Sequence, residues 1–493
     1  MKNLLYIISL CGLLTACDLQ EEPYGFYSDD NFYKSETDAE SGLLYAYNAL
    51  TFLEYSRGIF YIGDIPTETM SPKSDEAGDV YQLENWIANR ETEQLQYYFK
   101  YCYIAINRAN TVIDHIQNSS VLSETARRRI LGEAYFLRAW NYFNLVRTFG
   151  IVPVQTKMVA ELSQTTPPMA TGLDQLYDLI LGDLARADLL EVNKVFGRAD
   201  KVAAQSLMAK AYLTIASSKE HNVHRYTEMR REPQIMYDSA AYWAGKVVRD
   251  YKNVYDFDTN LRDIYDVDKP TGPEHIFIMP IDRSGTQEGN YSKLPLLFLP
   301  SNNSVPFYIR YGNGDLQRAN GNGWGVFLCN DEFVETQFST TDKRRTELIH
   351  RDIYDASGNP IVPNQVKGYF SSKYVDPDFI GERTSARPYL IRFSDIALVY
   401  AEAAGPEAGL AYVNRIRERA GVTPLPSGMT TDKFREAVIK ERALELAFEG
   451  NRLYDLRRTA SVTTTDIKAA GLSEAEAAYY PIPQREIDLN PNL

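Results

Sequence analysis

The sequence predicts a mostly α-helical protein, built from stacked pairs of helices, with an irregular loop-rich subdomain that contains short strands. Apolar residues recur at helical spacing through two long parts of the chain, residues 31–250 and 391–493. Between them, residues 251–390 hold 11 of the 29 glycines and 10 of the 23 prolines, although this stretch is little more than a quarter of the chain. Glycine and proline at that density interrupt helices and favour turns.

The first residues have the pattern of a secretory leader. A positively charged start, Met1-Lys2, precedes an apolar run over residues 4–14. This run is too short to span a bilayer, which takes about 20 residues. It ends in Leu14-Thr15-Ala16-Cys17, which resembles a bacterial lipobox. We therefore predict that residues 1–16 are removed and that Cys17 is lipidated, and an ordinary secretory signal with an incidental Cys17 is the alternative.

Residues 17–30 are predicted to be the lipidated cysteine and a flexible tether. The segment from Asp18 to Pro23 is acidic and ends in proline, which is typical of an extended linker. We expect residues 17–493 to form one compact unit. Apart from the lipid at Cys17, this unit is predicted to be water-soluble.

The helical pattern is clearest in a few segments of residues 31–250. Ala139, Phe143 and Val146 follow at spacings of four and three, and a second series marks another helix face. That series is Ala204, Met208, Ala211 and Ile215, and residues 97–116 and 173–190 are two further predicted helices. Each helix pair is about as long as a tetratricopeptide repeat, about 34 residues, although no repeat matches that motif cleanly.

The C-terminal part again has apolar residues at helical spacing, whereas residues 251–390, directly before it, do not. Helices are predicted over residues 394–404, 406–419 and 431–449. In residues 251–390, short runs such as 276–279 are predicted strands, and the rest is predicted loop that packs as an irregular layer against the helices. A shorter insert of similar texture, residues 63–89, interrupts the first helical part.

Composition favours a binding protein and argues against nucleic acid as a partner. The chain has 52 Lys and Arg against 66 Asp and Glu, a net charge of −14, whereas a groove that follows a polyanion needs positive charge. The 35 tyrosines are unusually many, and tyrosine suits wet recognition surfaces as well as cores because it joins an apolar face to a polar tip.

Two cysteines remain after the leader and the lipidated residue are set aside. Cys102 and Cys329 are too few for a disulfide framework, and two buried thiols is the favoured interpretation. A single disulfide between them stays open, because an exported protein permits it.

Enzyme motifs are poorly represented, so we predict no catalysis, no cofactor and no metal. His221 and His224 stand three apart in polar surroundings, which favours a solvated face over a metal site. The glycine-rich segment Gly321–Gly325 lacks the spacing and the lysine of a phosphate-binding loop. A glycosidase needs two carboxylates that flank the glycosidic bond it cleaves.

One series of carboxylates needs an explanation. Glu441, Glu445 and Glu449 fall at four-residue steps and are predicted to share one helix face. Several arginines crowd the same segment, namely Arg442, Arg452, Arg457 and Arg458. Ion pairing is therefore the better interpretation of these glutamates than catalysis.

Several segments resemble the SusD/RagB family of outer-membrane nutrient-binding lipoproteins. These segments are Gly132-Glu133-Ala134-Tyr135-Phe136-Leu137-Arg138-Ala139-Trp140, Phe149-Gly150-Ile151-Val152-Pro153, Ile391-Arg392-Phe393-Ser394-Asp395, Asn414-Arg415-Ile416-Arg417-Glu418-Arg419-Ala420-Gly421, Glu445-Leu446-Ala447-Phe448-Glu449-Gly450-Asn451-Arg452 and Pro481-Ile482-Pro483-Gln484-Arg485-Glu486. With the lipobox, the resemblance runs from Cys17 to the last residues in the family's order. It is specific for the family and says little about the cargo.

The resemblance implies a fold of four tetratricopeptide-like pairs plus an irregular subdomain that carries the ligand site. It also implies a partner, a SusC-like TonB-dependent barrel in the outer membrane, which this protein would cover as a lid with its tetratricopeptide-like face turned to the barrel. Known members take oligosaccharides, and a branch takes peptides.

Aromatic residues in the turn-rich regions are the candidates for a sugar site, since aromatic faces stack on pyranose rings and amides bind hydroxyls. Trp140 and Trp243 lie in periodic helical segments and are predicted core. Trp86 and Trp324 lie in the two turn-rich regions. Their neighbours complete the set of predicted ligand residues, which are Tyr81, Asn85, Asn322, Tyr308 and Tyr311, with Tyr291 as a further candidate.

The sequence thus predicts a lipid-anchored outer-membrane protein, facing the cell surface, that captures oligosaccharides or polysaccharide fragments for a barrel transporter. A peptide receptor of the same uptake system is the alternative within the family. A periplasmic helical-repeat scaffold that binds only protein, and a lipid-anchored glycosidase, are the alternatives of other classes.

Overall fold

The computed structural model describes residues 32–76, 78–283, 292–361, 368–381 and 383–493. The predicted leader, Cys17 and the tether lie outside the described residues, as does Tyr291. Within this described part no helix is both long and apolar enough to cross a bilayer.

Helices form most of the described structure. In the N-terminal part they are α1 (Glu36–Asn48), α2 (Leu53–Gly63), α3 (Asp79–Glu84), α4 (Glu93–Ile116), α5 (Glu124–Phe149), α6 (Leu173–Ala187), α7 (Lys201–Glu220) and α8 (Pro233–Asp250). In the remainder they are α9 (Leu294–Phe298), α10 (Asp331–Gln337), α11 (Lys343–Leu348), α12 (Phe393–Ala404), α13 (Pro406–Arg419), α14 (Thr431–Glu445), α15 (Arg452–Arg458), α16 (Val462–Thr465), α17 (Glu474–Ala478) and α18 (Gln484–Leu489).

Strands are short and lie in the turn-rich regions. They are β1 (Met70–Pro72), β2 (His275–Ile278), β3 (Phe307–Arg310), β4 (Leu316–Ala319), β5 (Phe327–Cys329), β6 (Ile349–His350), β7 (Ile353–Tyr354), β8 (Pro360–Ile361), β9 (Phe370–Ser371) and β10 (Tyr389–Arg392). All pairings among them are antiparallel, in the order β4-β3-β7-β8 and the pairs β1-β5, β2-β10 and β6-β9. The fold class predicted from the sequence is confirmed.

The long helices stack in chain order. α4 packs against α1, α2 and α5; α6 lies between α5 and α7; and α8 lies between α7 and α12, which contacts α13 and α14. α12 ends where the sequence predicts, because Gly405 has a φ of 79° and Pro406 opens the next helix. Small residues such as Gly409, where a Cβ would lie 2.5 Å from the Cα of Ala401, let α12 and α13 cross closely.

The predicted helix over residues 431–449 ends four residues early. α14 stops at Glu445, and the chain then turns, with Phe448 at a φ of 66° and Gly450 at 75°. Glu441 and Glu445 therefore share a helix, whereas Glu449 lies in the turn that follows it. The prediction that all three share one helix face is wrong for Glu449.

A buried ion network joins the loop-rich layer to the C-terminal helices. Arg392 donates to Glu449 at 2.8 Å, to Glu274 at 2.8 Å and to Glu445 at 2.9 Å. Four further bonds extend the network, from Arg344 to Glu441 (2.5 Å), Arg417 to Glu441 (2.6 Å), Arg419 to Glu445 (2.7 Å) and Lys373 to Glu449 (2.6 Å). Since Glu274, Arg344 and Lys373 belong to the loop-rich stretch, these pairs fix that stretch onto α14.

Ion pairing of the three glutamates is thus confirmed, but the partners predicted from local sequence are wrong. Arg442 instead binds Asp395 at 2.8 Å and Asp455 at 2.9 Å, and Arg458 binds Glu402. Burial alone would raise the pKa of Glu445, and the charges of Arg419 and Arg392 outweigh burial and hold that pKa at about 2. Glu445 is therefore held ionised and is unavailable as an acid.

Cys102 and Cys329 are buried free thiols, which confirms the favoured interpretation. Burial raises the pKa of both thiols, so neither is a reactive thiolate. Trp140, predicted to be core, is 5% exposed and donates through Nε1 to the Tyr55 hydroxyl at 3.1 Å.

Buried Asp64 should make stability fall as the pH rises from about 4 to about 7. Its side chain is fully buried and accepts the Gly450 N–H at 2.7 Å, and burial raises its pKa to about 7. The folded state holds a proton over this range that the unfolded state, with a carboxyl pKa near 4, has already released. The free energy of unfolding should therefore fall by about 4 kcal/mol between pH 4 and pH 7.

Urea unfolding of the Asp64→Asn variant at pH 5 and pH 8 measures this effect. The variant should be more stable than wild type at pH 8 and should have a flatter pH profile. Asp352→Asn, at an exposed loop position, is the control and should follow wild type. Equal profiles for Asp64→Asn and wild type would contradict the assignment.

Candidate functional site

The structure brings the two turn-rich regions together. β1, from the 63–89 insert, pairs with β5 so that Met70 faces Cys329 and Pro72 faces Phe327. The pairing continues one residue further, because the Lys73 N–H donates to the Val326 carbonyl at 3.0 Å. The sequence places these strands more than 250 residues apart, so this contact is a product of the tertiary fold.

Directly before β5, the chain presents two side chains to solvent. Burial alternates along residues 321–325, with the three glycines buried and Asn322 and Trp324 exposed. In an extended segment, residues two apart point to the same side. Trp324, 44% exposed, and the Asn322 amide therefore share one solvent-facing surface, which we name the Trp324 loop (residues 320–325).

The Trp324 loop is held by close backbone packing. A Cβ at Gly321 would lie 2.0 Å from the Val305 carbonyl oxygen, and a Cβ at Gly323 would lie 2.0 Å from that of Leu299. Contacts this short exclude any larger residue at both positions unless the backbone moves. The two glycines thus let the loop lie directly on residues 299–305.

Backbone hydrogen bonds fix the loop at the same places. The Trp324 N–H donates to Leu296 at 2.6 Å, the Gly325 N–H to Leu299 at 2.9 Å, and the Gly321 carbonyl accepts from Asn302 at 2.9 Å. The backbone that carries the indole is consequently fixed before any ligand arrives, and a preformed loop loses little entropy on binding.

A cation lies over the ring of the indole. The Lys293 ammonium lies 5.7 Å from the centre of the Trp324 ring. This places a flat aromatic face, an amide and a hydrogen-bond donor on one exposed surface. Such a combination can stack on the C–H face of a sugar ring and bind its hydroxyls.

Trp86 is not an exposed stacking face, and the expectation that it is one is wrong. Its ring is 7% exposed, lies against Tyr480 with ring centres 6.2 Å apart, and donates through Nε1 to Asp466 at 3.2 Å. The reason is a long-range contact: the segment around Asp466, some 380 residues further along the chain, covers the ring. The turn-rich sequence around Trp86 does not predict that a distant segment buries its ring.

The two neighbours of Trp86 face solvent to different degrees. Tyr81, on α3, is 53% exposed, and Asn85 is half-buried and donates through Nδ2 to the Tyr81 carbonyl at 2.8 Å. Tyr81 remains available for contact, whereas the Asn85 amide is partly committed to capping its own helix.

The two tyrosines of the middle layer differ from each other. Tyr308 is half-buried in β3, opposite Tyr354. Tyr311 is 6% exposed, its hydroxyl donates to Gln317, and burial raises its pKa to about 12. The expectation that Tyr311 contributes to a ligand surface is wrong, because the turn after β3 folds its ring against Arg262 and His350.

Sequence reasoning missed a polar cleft of about 700 Å³ between α10, α14 and the segment 459–468. We name it the α10–α14 cleft. It opens at the Met70–Asn330 end of the β1-β5 pair, whereas the Trp324 loop lies at the other end. Its walls come from four separate stretches of the chain, so no local motif could have indicated it.

A larger hollow, of about 950 Å³, lies among α1, α4, the segment 153–167 and the C-terminal residues. We name it the apolar hollow. It is bordered by exposed apolar side chains, including Tyr45 (58% exposed), Leu162 (86%) and Leu489 (63%). Exposed apolar surface of this kind is typical of a protein-contact face rather than of a sugar site.

The described residues hold no group of three or more His, Cys, Asp or Glu side chains placed to bind a metal ion. Two histidines of the loop-rich layer are buried: burial lowers the pKa of His275 to about 4 and that of His350 to about 3. Both are therefore neutral at pH 7 and pack inside the layer.

The protein combines stacked helix pairs with a loop layer that carries the solvent-facing Trp324 loop. This combination defines its class, a tetratricopeptide-like scaffold with a preformed surface for contact. Two family models match the sequence. The SusD family matches residues 352–493, and a family described as "Starch-binding associating with outer membrane" matches residues 33–213. The chain is a SusD-like family protein.

Similar proteins agree with this assignment. SusD-like protein P2 of Formosa agariphila is 24% identical, over 92% of this chain and 89% of its own. A SusD homolog of Bacteroides thetaiotaomicron has a similar solved structure, with a TM-score of 0.76 at 20% identity over 95% of this chain and 98% of its own. A laminarin-binding SusD-like protein gives a TM-score of 0.73 at 22% identity, over 93% and 98%.

Proposed function

We propose that this protein binds oligosaccharides or polysaccharide fragments at the Trp324 loop. The observation that carries the proposal is a 44% exposed tryptophan beside an exposed asparagine on one loop whose backbone is fixed by hydrogen bonds. One family description names starch binding, and one similar structure is titled laminarin-binding, which supports a carbohydrate as the ligand class.

We further propose that the protein is anchored in the outer membrane through Cys17, faces the cell surface and delivers its cargo to a SusC-like TonB-dependent barrel. The family description "associating with outer membrane" supports the location. The apolar hollow supports a protein partner, because several large apolar side chains there stay exposed in the isolated chain. Protease cleavage of the protein on intact cells tests the orientation.

The protein is proposed to bind its cargo without catalysis. The regularly spaced glutamates Glu441, Glu445 and Glu449 are buried and paired with arginine and lysine side chains. A search for shortened products after long incubation with polysaccharide checks this part of the proposal, and product above background would overturn it.

Replacing Trp324 by alanine should weaken oligosaccharide binding by about 30-fold, since truncation of a central aromatic contact costs roughly 2 kcal/mol. Calorimetric titration of the purified protein with maltoheptaose, laminarihexaose and a peptide mixture measures this change. Asn322→Ala should weaken binding less, by several-fold, because it removes a hydrogen bond and no stacking surface.

Tyr242→Ala is the matched control. Tyr242 is 55% exposed on α8, and a lysine ammonium lies 4.9 Å from its ring, as at Trp324. Its variant should bind like wild type. Unchanged sugar binding in Trp324→Ala would contradict the proposed site, and binding of peptides but of no sugar would assign the protein to peptide uptake.

A further inference from the structure

The α10–α14 cleft has the composition of a binding site for an uncharged polar molecule. Seven of its lining side chains are hydroxyls or amides, and its charges nearly balance, with four carboxylates and three basic groups. Six apolar residues and His221 complete the wall. At about 700 Å³ the cleft falls within the range of small-molecule sites, which is roughly 300–1,000 Å³.

One ion pair in the wall is only half satisfied. Arg452 donates through Nε to Oε1 of Glu68 at 2.8 Å. Nη2 of Arg452 lies 2.5 Å from the same oxygen, whereas Nη1 of Arg452 and Oε2 of Glu68 are buried and have no hydrogen-bond partner among the described residues. Buried polar atoms are normally paired, so an unpaired donor and an unpaired acceptor in one wall indicate a missing partner.

The chemistry of that partner follows from the pair. A hydroxyl group can accept, as Nη1 of Arg452 requires, and can donate, as Oε2 of Glu68 requires. A carboxylate or phosphate could only accept, and an ammonium could only donate. A molecule with several hydroxyls is therefore the ligand class that satisfies both atoms and also uses the hydroxyl and amide side chains around them.

A third group in the wall is held in place by Trp86. The indole N–H binds Oδ2 of Asp466, and Oδ1 of Asp466 accepts the Lys468 N–H at 2.9 Å. Trp86 adopts a φ of 55°, which is uncommon for a bulky residue and is tolerated where surrounding structure enforces it. The two hydrogen bonds to its oxygens fix the direction of the Asp466 carboxylate at the edge of the cleft.

We infer that the α10–α14 cleft is a second sugar-binding subsite, for a neutral sugar unit recognised through its hydroxyls rather than by stacking. The inference rests on the proposed function, since it assumes that the protein binds carbohydrate. The two subsites lie at opposite ends of the β1-β5 pair, so one oligosaccharide chain or two separate chains can occupy them.

Glu68→Gln in the purified protein tests the cleft. This variant is nearly isosteric but replaces one carboxylate oxygen by a nitrogen that cannot accept, so binding at the cleft should weaken by about tenfold. Four proteins are titrated with maltoheptaose and laminarihexaose: wild type, Trp324→Ala, Glu68→Gln and the double variant. The sugar binding that remains in Trp324→Ala should be weakened further in the double variant.

Glu407→Gln, at an exposed position on α13, is the matched control and should have no effect. Crystals of the wild-type protein soaked in the same oligosaccharides give a second measurement that does not depend on any variant folding well. Sugar density in the cleft, in contact with Glu68 or Arg452, is the expected result.

The outcomes separate this inference from the proposed function. Sugar at the Trp324 loop alone, with Glu68→Gln titrating like wild type, overturns the cleft and leaves the proposed function intact. Sugar in the cleft with no effect of Trp324→Ala keeps the cleft and overturns the proposed Trp324 site. A parallel soak in tetra-alanine that fills the cleft, where the sugar soaks leave it empty, overturns the ligand class, and no sugar at either place overturns both.

Discussion

The Arg392→Met variant should lose about 4 kcal/mol of folding free energy, within the range of 3–5 kcal/mol for breaking a buried ion pair from one side. Arg392 is 1% exposed and donates to three carboxylates, Glu274, Glu445 and Glu449. Methionine fills much of the same space but leaves those carboxylates without their main counter-charge. Urea unfolding of the purified variant measures the loss.

The location of the loss is also predicted. Glu274 belongs to the loop-rich layer and Glu445 to α14, so the variant should open the contact between them before the helix stack unfolds. Amide hydrogen exchange should therefore quicken around β2 and β10 more than in α4 and α5.

Arg415→Met is the matched control for charge removal. Arg415 pairs with Asp256 at 3.1 Å, and both side chains are well exposed, at 48% and 33%. Exposed pairs contribute about 0–1 kcal/mol, so this variant should stay close to wild type. Similar losses in the two variants would show that the network adds no more than an ordinary surface pair.

Gly323→Ala should abolish most of the binding that depends on Trp324, although it leaves every predicted contact side chain in place. The added Cβ would lie 2.0 Å from the Leu299 carbonyl oxygen and 2.5 Å from that of Pro300. Both obstacles are backbone atoms and cannot rotate away, so the loop must shift and carry Trp324 with it. Its affinity loss should approach that of Trp324→Ala.

Calorimetric titration gives the affinity, and thermal unfolding gives the stability cost, which should be about 1–3 kcal/mol as for other overpacked sites. Gly471→Ala is the control, because a Cβ there meets nothing within 4 Å. If Gly323→Ala binds sugar like wild type, the close approach of the loop to residues 299–305 does not position the indole.

The helices could be predicted because their signals are local. Four-residue and three-residue spacings mark α5 and α7, and the Ala-Gly-Pro sequence at residues 404–406 marks the boundary between α12 and α13. The end of α14 was missed, since Leu446 to Glu449 have ordinary helical residues and the turn is imposed by contacts such as that of Gly450 with Asp64.

The candidate site could be predicted only in part. The sequence indicates Trp324 as a candidate because it lies in a turn-rich region beside Asn322, and its exposure is decided by the fold. Trp86 has an equally turn-rich neighbourhood, yet Asp466 and Tyr480 bury it. The α10–α14 cleft was not predicted at all, because its walls are shared among stretches that meet only in the fold.

The sequence by itself determined the helical scaffold, the loop-rich layer and the family, because periodicity, glycine and proline density and short motifs are properties of neighbouring residues. The tertiary structure alone decided which aromatic residue stays exposed, which arginine neutralises which glutamate and where the clefts lie. These depend on contacts between residues hundreds of positions apart, and the burial and charge of a side chain are set by everything that packs around it.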